Sequence, residues 1–504
     1  MKKCVRYSIF VLSIALFLSG FLSLVFDNTM SLIVMLSGVL LMLTNNILYS
    51  SERIKSRVYF LFFNIMVFVF LIGRPTIAMF RGEEWWEIGL EATIWALSAI
   101  FTSLLFLFIG SLVAEKLVDN SEIKKEKLNQ YCCNSFNKSL CYKNNNVEFI
   151  ESIRKISLFL FYISMSCLLL YQFEQLIFMR GREYVEYYTE FKSKLPHIFL
   201  SISDTYKYFF CIFLATMPKK KETFVPLTLY IISAISSLII GIRGPIVLNL
   251  IFVFLYYLLR DILEDKEKWI GYKEKAAIAI FAPAGILFLG AYNYIREGES
   301  VSQNTIIDLF IDFIDKQGVS FSVLCRGYNS IPEISKSGVI SYTFGGIIDY
   351  FTHGTIAQKL FGAKALPGGN NLTMALESNS FAHRMSYASR GQEYLDGHGW
   401  GSSYLLETFA DFGFIGIIVF SLIIGCLLML FIPMIKKNWC LATYAFMILT
   451  YIYFCPRDAA TGWMTFAGTF QFTSTLVFTY IFAKLCTKRY SIRLCNNYTK
   501  KIYN

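Results

Sequence analysis

The sequence has little of what builds a soluble catalytic site. It holds four histidines and ten prolines in 504 residues, and only 16% of its side chains are charged. No HExxH, P-loop or G-x-G-x-x-G stretch occurs, so zinc-hydrolase, nucleoside-triphosphate and dinucleotide sites lack support. Cys132, Cys133 and Cys141 lie in a hydrophilic stretch with neither CxxC spacing nor a histidine beside them, which speaks against zinc. No internal repeat is visible. What fills the chain is apolar: 55% hydrophobic and 17% aromatic residues, with a mean hydropathy of +0.50. A soluble domain cannot hide that much apolar surface, whereas a bilayer covers it. Phe (48) and Tyr (31) are so common that no single aromatic stands out.

A span needs roughly 20 apolar residues. About twelve segments qualify: 7–26, 29–49, 58–79, 88–113, 154–178, 198–217, 223–241, 245–259, 276–294, 409–435, 440–455 and 463–483. The expected fold class is therefore an all-α polytopic membrane protein. MKKCVRYSIFVLSIALFLSGFLSL resembles a signal peptide, but its apolar run is long and a second span follows at once, so it reads as an uncleaved first helix. Three regions are expected: helices 1–9 over 1–294 with a polar, mobile loop at 114–153; a large loop over 295–408; and helices 10–12 with a tail over 409–504. With the N-terminus inside, the inner segments hold 23 Lys and 7 Arg of the chain's 47 cations. That bias sets both termini in the cytoplasm and 295–408 outside. It also accounts for most of the net charge of +11, and no nucleic-acid partner is expected from it.

Within the outer loop, NTIIDLFIDFIDKQG puts Ile306, Ile307, Phe310, Phe313 and Ile314 on one helical face and Asp308, Asp312 and Asp315 on the other. Such a helix suits the membrane surface or the loop's own core equally. The outer side holds 7 Lys but 10 Arg: Arg74, Arg81, Arg180, Arg182, Arg243, Arg296, Arg326, Arg384, Arg390 and Arg457. Topology needs no such switch, because Lys and Arg serve it equally. Arginine's planar fork grips phosphate or carboxylate through two hydrogen bonds. Taken singly, each could snorkel to lipid head groups. As a set they point to an outward cavity for an anionic ligand. GIRGPIVLN also interrupts two spans with Gly and Pro, which suits either a tight turn or a water-filled site.

The chemistry-bearing side chains converge in SNSFAHRMSYASRGQEYLDGHGWGSSYLLETFADFG. This stretch supplies His383, Arg384, Arg390, Glu393, Asp396, His398, Glu407 and Asp411. Ser402 or Ser403 can cap the helix that follows, with Glu407 in its early turns. Histidine and carboxylates move protons at neutral pH, so Glu407 or His398 is a candidate general base and Asp411 a further carboxylate. No metal-ligand spacing is present.

At these residues the chain resembles the Wzy-type O-antigen and capsular polysaccharide repeat-unit polymerases. The pattern is Gly397, Gly399, Gly401, Ser402, Ser403, Tyr404, Glu407, Gly413 and Gly416 leading into a span, with an Arg-Gly-Pro turn at 243–245. The resemblance implies a GT-C-like glycosyltransferase of the bacterial plasma membrane that needs no cofactor. Its donor and acceptor would be undecaprenyl-pyrophosphate-linked oligosaccharides on the outer face, with a chain-length regulator as the partner such polymerases commonly have. Catalytic roles are expected for Glu407, His398 and Arg390, and pyrophosphate binding for Arg243; for Arg74, Arg180, Arg182, Arg296, Arg384 and Arg457 that role is expected from their outer side and depth alone. Arg243 and Arg390 are the positions that match the family's arginines. An O-antigen ligase of the same superfamily, a flippase for the same lipid-linked sugar, and a sensor or scaffold are the alternatives. A transporter should carry deep charges in several spans and often repeats. The one-sided polar chemistry here favours an enzyme.

Overall fold

In lipid, a backbone can satisfy its own polar groups only as a helix or a closed barrel. The computed structural model describes the backbone of residues 2–25, 28–131, 139–182, 186–187, 190–263, 267–297, 305–334 and 338–502. Side chains are described there apart from those of 2–3, 28, 121–131, 139–146, 292–297 and 488–502. These residues are helical, with no strand among them. The long helices are α1 Lys2–Ser23, α2 Asn28–Glu52, α3 Ile54–Val67, α4 Gly73–Arg81, α5 Leu90–Tyr131 and α6 Ser139–Phe178. Then come the broken α7 His197–Ser203 and α8 Tyr206–Ala215, α9 Lys220–Ile232, α10 Ile235–Ile239, α11 Gly244–Leu263 and α12 Tyr272–Glu297. Among the described residues, 11 helical segments are long and apolar enough to cross a membrane.

Two expectations change. Of the stretch 114–153, the described residues are helical, as extensions of α5 and α6, because charged side chains can ride on long helices beyond the bilayer. The twelfth span, 463–483, begins instead in a 3-10 turn at Thr465–Gly468 and continues as a helix over Phe470–Ile502. That helix runs from Tyr350, which accepts the Phe470 N–H, to Ile153 and Ser152 of α6 at Ala483 and Thr487.

The central crossing joins α5 to α20, Tyr404–Lys437. A β-carbon on Gly110 would lie 2.2 Å from the Leu422 carbonyl oxygen, and one on Gly425 would lie 2.2 Å from that of Leu107. The two backbones therefore touch as only small residues allow. Cys426 Sγ donates to the Gly110 carbonyl at 3.1 Å. The Ser103 hydroxyl bonds the Tyr404 hydroxyl and accepts from Ser421 Oγ at 2.9 Å. In the third span, Pro75 has no N–H to offer Leu71, and the helix loosens into a π turn at Phe68–Ile72 before α4.

Residues 305–403 form short helices at one end of this bundle: α13 Ile306–Gln317, α14 Val319–Ser330, α15 Gly345–His353, α16 Thr355–Phe361, α17 Leu372–Glu377, α18 Phe381–Arg390 and α19 Gln392–Leu395. Thr305 and Asp308 cap α13 reciprocally, and these hydrogen bonds hold the Asp308 carboxyl below its usual range. The helix packs on α12 and α4 with Ile306 and Ile307 exposed. α21 Trp439–Leu449 returns from the far end of α20 and leads to the 3-10 turn Ile452–Arg457, which lies at the same end as these helices together with the start of α22, Phe470–Ile502. At the opposite end, several of the described arginines are paired. Arg57 meets Glu115 at 2.7 Å and Arg6 meets Glu52 at 2.9 Å, so they belong to the scaffold.

Candidate functional site

The site is built where α20 begins. Ser403 caps the helix, accepting from the Leu405 N–H at 3.3 Å. One turn on, Glu407 is only 2% exposed. Its Oε1 accepts from Ser402 Oγ at 2.8 Å and its Oε2 from the Ala460 N–H at 2.7 Å. Its backbone carbonyl accepts from Thr343 Oγ1 at 3.2 Å, and the Thr343 carbonyl accepts from Thr461 Oγ1 at 2.8 Å. Asp411, a further turn on, accepts from Ser341 Oγ at 2.7 Å and from the N–H groups of Tyr342 at 3.1 Å and Thr343 at 2.8 Å. The two carboxylates expected to move protons thus fasten three connections onto one helical limb. A base must reach the proton it takes; here both Glu407 oxygens accept hydrogen bonds from the loops around it. The limb ends at Gly413, whose φ of 61° and ψ of −153° break the helix below Asp411 in a region that essentially only glycine occupies.

Above Glu407, the glycine-rich approach presents Trp400. Its N–H donates to Ser386 Oγ at 2.8 Å, and its carbonyl accepts from the same hydroxyl at 3.2 Å. Two guanidinium groups lie over its indole, that of Arg390 at 4.0 Å from the ring centroid and that of Arg326 at 4.9 Å. Such contacts hold a cation by its attraction to the ring face. Arg390 Nη1 meets Glu393 at 2.7 Å, while its Nε is buried without a hydrogen-bond partner. Arg326 is exposed. The pair presents donors beyond what the protein uses. His398, two residues before Trp400, is exposed, and its backbone N–H donates to the Glu393 carbonyl at 3.0 Å.

A second cationic group adjoins the first. A β-carbon on Gly401 would lie 3.4 Å from the Arg457 carbonyl oxygen. Arg457 Nη1 donates to Gln317 Oε1 at 2.7 Å, and its guanidinium lies over Phe70 and Phe454. At the same α13–α14 junction, Gly318 abuts Arg74, and Arg74 Nε stands 3.7 Å from Asp315. Burial raises the Asp315 carboxyl above its usual value, against the opposing pull of Arg74 and Arg81. Arg243 sits half-buried on the turn before Gly244, and a β-carbon on Gly244 would come within 3.0 Å of the Phe454 ring. Arg74 and Arg457 thus both meet the α13–α14 junction, at Gly318 and Gln317, while the residue after Arg243 packs on Phe454, over which the Arg457 guanidinium lies.

The remaining arginines go elsewhere. Arg384 is 5% exposed, with Nε on the Ser378 carbonyl at 3.0 Å and Nη2 on that of Leu376 at 2.6 Å. Two of its donors thus bind carbonyls at the end of α17, Leu376 and Ser378. Arg182 is engaged by Glu186 and Glu190 at 3.0 and 2.8 Å, beyond the end of α6, and Arg180 is exposed next to it. The side chain of Arg296 lies outside the described residues. His383 Nδ1 shares a hydrogen bond with the Tyr394 hydroxyl at 2.8 Å, and burial lowers its pKa below the usual histidine value. Sequence reasoning missed Trp400, Ser386 and Gln317. Arg326 was noted only as one of ten outer arginines.

A family model for the O-antigen polysaccharide polymerase Wzy matches residues 7–490. The chain belongs to that family. It is a multi-pass bacterial membrane protein of a polysaccharide repeat-unit polymerase family. No curated protein and no solved structure matches it. For a Wzy polymerase, the geometry offers two guanidinium groups over the Trp400 indole, with Arg457 next to the same loop at Gly401 and Glu407 bound to that loop through Ser402.

Proposed function

We propose that this Wzy polymerase joins repeat units by glycosyl transfer on the outer face of the plasma membrane, both donor and acceptor being carried on undecaprenyl pyrophosphate. The observation that carries this reading is the Trp400 platform, where Arg326 and Arg390 share one ring a residue away from Gly401 and Arg457. In the reaction, the bond between the anomeric carbon of the growing glycan and its pyrophosphate breaks. The acceptor sugar's hydroxyl oxygen bonds to that carbon, and its proton leaves to a base. The charge that develops goes onto the departing pyrophosphate. Fixed guanidinium groups stabilise it without having to reorganise. Arg390 and Arg326 take one pyrophosphate, and the group of Arg457, Arg74 and Arg243 lies beside the other. His398, exposed on the same loop, is the residue placed to accept the proton. Glu407 and Asp411 are positioning residues.

The test is the size distribution of surface and lipid-linked glycan in a strain lacking the protein. A polymerase leaves one repeat unit on the final acceptor and no ladder. A ladder that persists on the lipid carrier but never reaches its acceptor would make the protein a ligase. Single units trapped in the cytoplasm would make it a flippase and overturn the proposal.

A further inference from the structure

Trp400 stands between Gly399 and Gly401, so neither chain neighbour has a side chain to hold its ring. A residue flanked by glycines keeps wide backbone freedom, and fixing it costs conformational entropy. Yet two guanidinium groups lie over this one indole, that of Arg390 at 4.0 Å from the ring centroid and that of Arg326 at 4.9 Å. The platform therefore needs an anchor from outside the loop.

Ser386 provides it. The residue is 1% exposed, and its hydroxyl bonds Trp400 twice. It accepts from the Trp400 N–H at 2.8 Å and donates to the Trp400 carbonyl at 3.2 Å. A serine hydroxyl has one hydrogen to give, and here it goes to a residue 14 positions away. Ser389, on the same helix, does what helical serines usually do: it donates to the Met385 carbonyl one turn back, at 2.8 Å. The loop runs close to α18 at this point, since a β-carbon on Gly399 would lie 3.4 Å from Ser386 Oγ and 3.8 Å from Ser386 Cβ. Arg390 follows Ser386 by four residues on α18, and side chains so spaced share a helical face. One face of α18 thus holds Trp400 at both ends, the main chain through Ser386 and the ring through Arg390. Glu393 steadies the Arg390 guanidinium in turn, at 2.7 Å, and Arg326 reaches the ring from α14.

We propose that Ser386 is a positioning residue for the cationic site. By fixing the Trp400 main chain, it sets the indole against which Arg390 and Arg326 are held ready for an anion. The proposal rests on the reading of these two arginines as a pyrophosphate site given above. Without the hydroxyl, the ring swings on its two glycines, and both arginine side chains must be ordered when the anion arrives. For two such side chains that ordering weakens binding roughly tenfold or more.

The experiment uses the full-length protein in detergent micelles, with fluorotryptophan in place of its seven tryptophans and inorganic pyrophosphate as the probe. The fluorine resonance of Trp400, read without ligand, is assigned by its loss in Trp400→Ala. Ser386→Ala should move that resonance toward the position of a solvent-exposed indole. It should also weaken pyrophosphate about tenfold by calorimetry, with an unfolding temperature near that of the wild type. Ser386→Thr, which keeps the hydroxyl, should restore both, and Ser389→Ala should change neither. Ser386→Cys, a weaker hydrogen-bonding group of similar size, should fall between and takes the place of alanine if that variant does not fold. In a Trp400→Ala background, Ser386→Ala should weaken binding no further, because its effect passes through the ring. A Trp400 resonance that stays in place, an affinity unchanged from a binding wild type, or additive losses in the double variant would overturn the proposal. If the resonance moves as expected but the wild type binds no pyrophosphate, or Arg390→Lys binds it equally well, the pyrophosphate reading fails and the hold of Ser386 on Trp400 stands.

Discussion

Glu407 separates two mechanisms with one pair of substitutions. Glu407→Ala removes the acceptor for Ser402 Oγ and for the Ala460 N–H, both within a site that is 2% exposed. An orphaned buried donor costs about 1–3 kcal/mol, so the two together cost roughly 2–6 kcal/mol before any cavity is counted. Glu407→Gln has the same shape. Its amide oxygen can keep the Ala460 N–H while its NH2 group donates to Ser402 Oγ, so the loss falls to about 1 kcal/mol. Thermal unfolding of the purified protein and the glycan ladder of a complemented deletion strain are the two readouts. The alanine variant should lose both stability and polymer. The glutamine variant should fold normally and keep its ladder within a few-fold. If Glu407 were the general base, glutamine would fold equally well yet lose about 10²–10⁴ in rate. A stable Glu407→Gln protein without polymer would therefore refute the positioning role.

Other predictions follow from the same geometry. Arg390→Lys and Arg326→Lys keep the charge but lose the planar group lying over Trp400, and each should shorten the ladder and cut polymer yield at least tenfold; normal polymer in both would remove bidentate recognition from the mechanism. Asp411→Ala strands the Ser341 hydroxyl and the N–H groups of Tyr342 and Thr343, and the two N–H groups alone should cost roughly 2–6 kcal/mol, whereas Asp411→Asn keeps one acceptor and should cost less, as compared by thermal unfolding. His383 is held neutral by burial, so its folded pKa lies below the unfolded value of about 6.5. The stability it contributes is present above that unfolded value and is lost as pH falls through the folded one. The unfolding temperature of His383→Gln should therefore fall less steeply on acidification than that of the wild type. Gly413→Ala forces a side chain into backbone angles that suit glycine, and should destabilise by about 1–3 kcal/mol or straighten the break, read by unfolding and by loss of polymer.

The helical spans were legible because bilayer thickness writes itself into runs of about 20 apolar residues. The convergence of chemistry around 383–411 was legible too, since glycines and charges in an apolar chain are conspicuous. The roles inside it were not. Glu407 and Asp411 look like reactive carboxylates in sequence, but their partners at 341–343, 402 and 460 are mostly remote in the chain, and only folding shows that every oxygen is engaged. Arg384 and Arg390, six residues apart on α18, cannot be told apart by type. One turns its fork to the carbonyls of 376 and 378, and the other lies over Trp400. Trp400 itself was hidden by abundance, in a chain where aromatics stand everywhere. The start of the last helix was misplaced because the Gly, Thr and Trp residues of 461–469 were averaged into a hydropathy window that the folded chain divides at Phe470.

The crossing of α5 and α20 also sets a timetable. Gly110 and Cys426, which touch there, are separated by 316 residues. At about 5–20 residues per second, synthesis of that interval takes roughly 15–60 s. Through that time α5 sits in the membrane with its glycine face uncovered, and neither Glu407 nor Asp411 yet exists to gather the loops. The cationic site is therefore assembled late, after nearly all of the helices on which it rests have entered the bilayer. A nascent chain stopped short of α20 would carry most of the scaffold and none of the assembled site. Quality control at the membrane would meet such a chain as a row of inserted helices lacking their central partner.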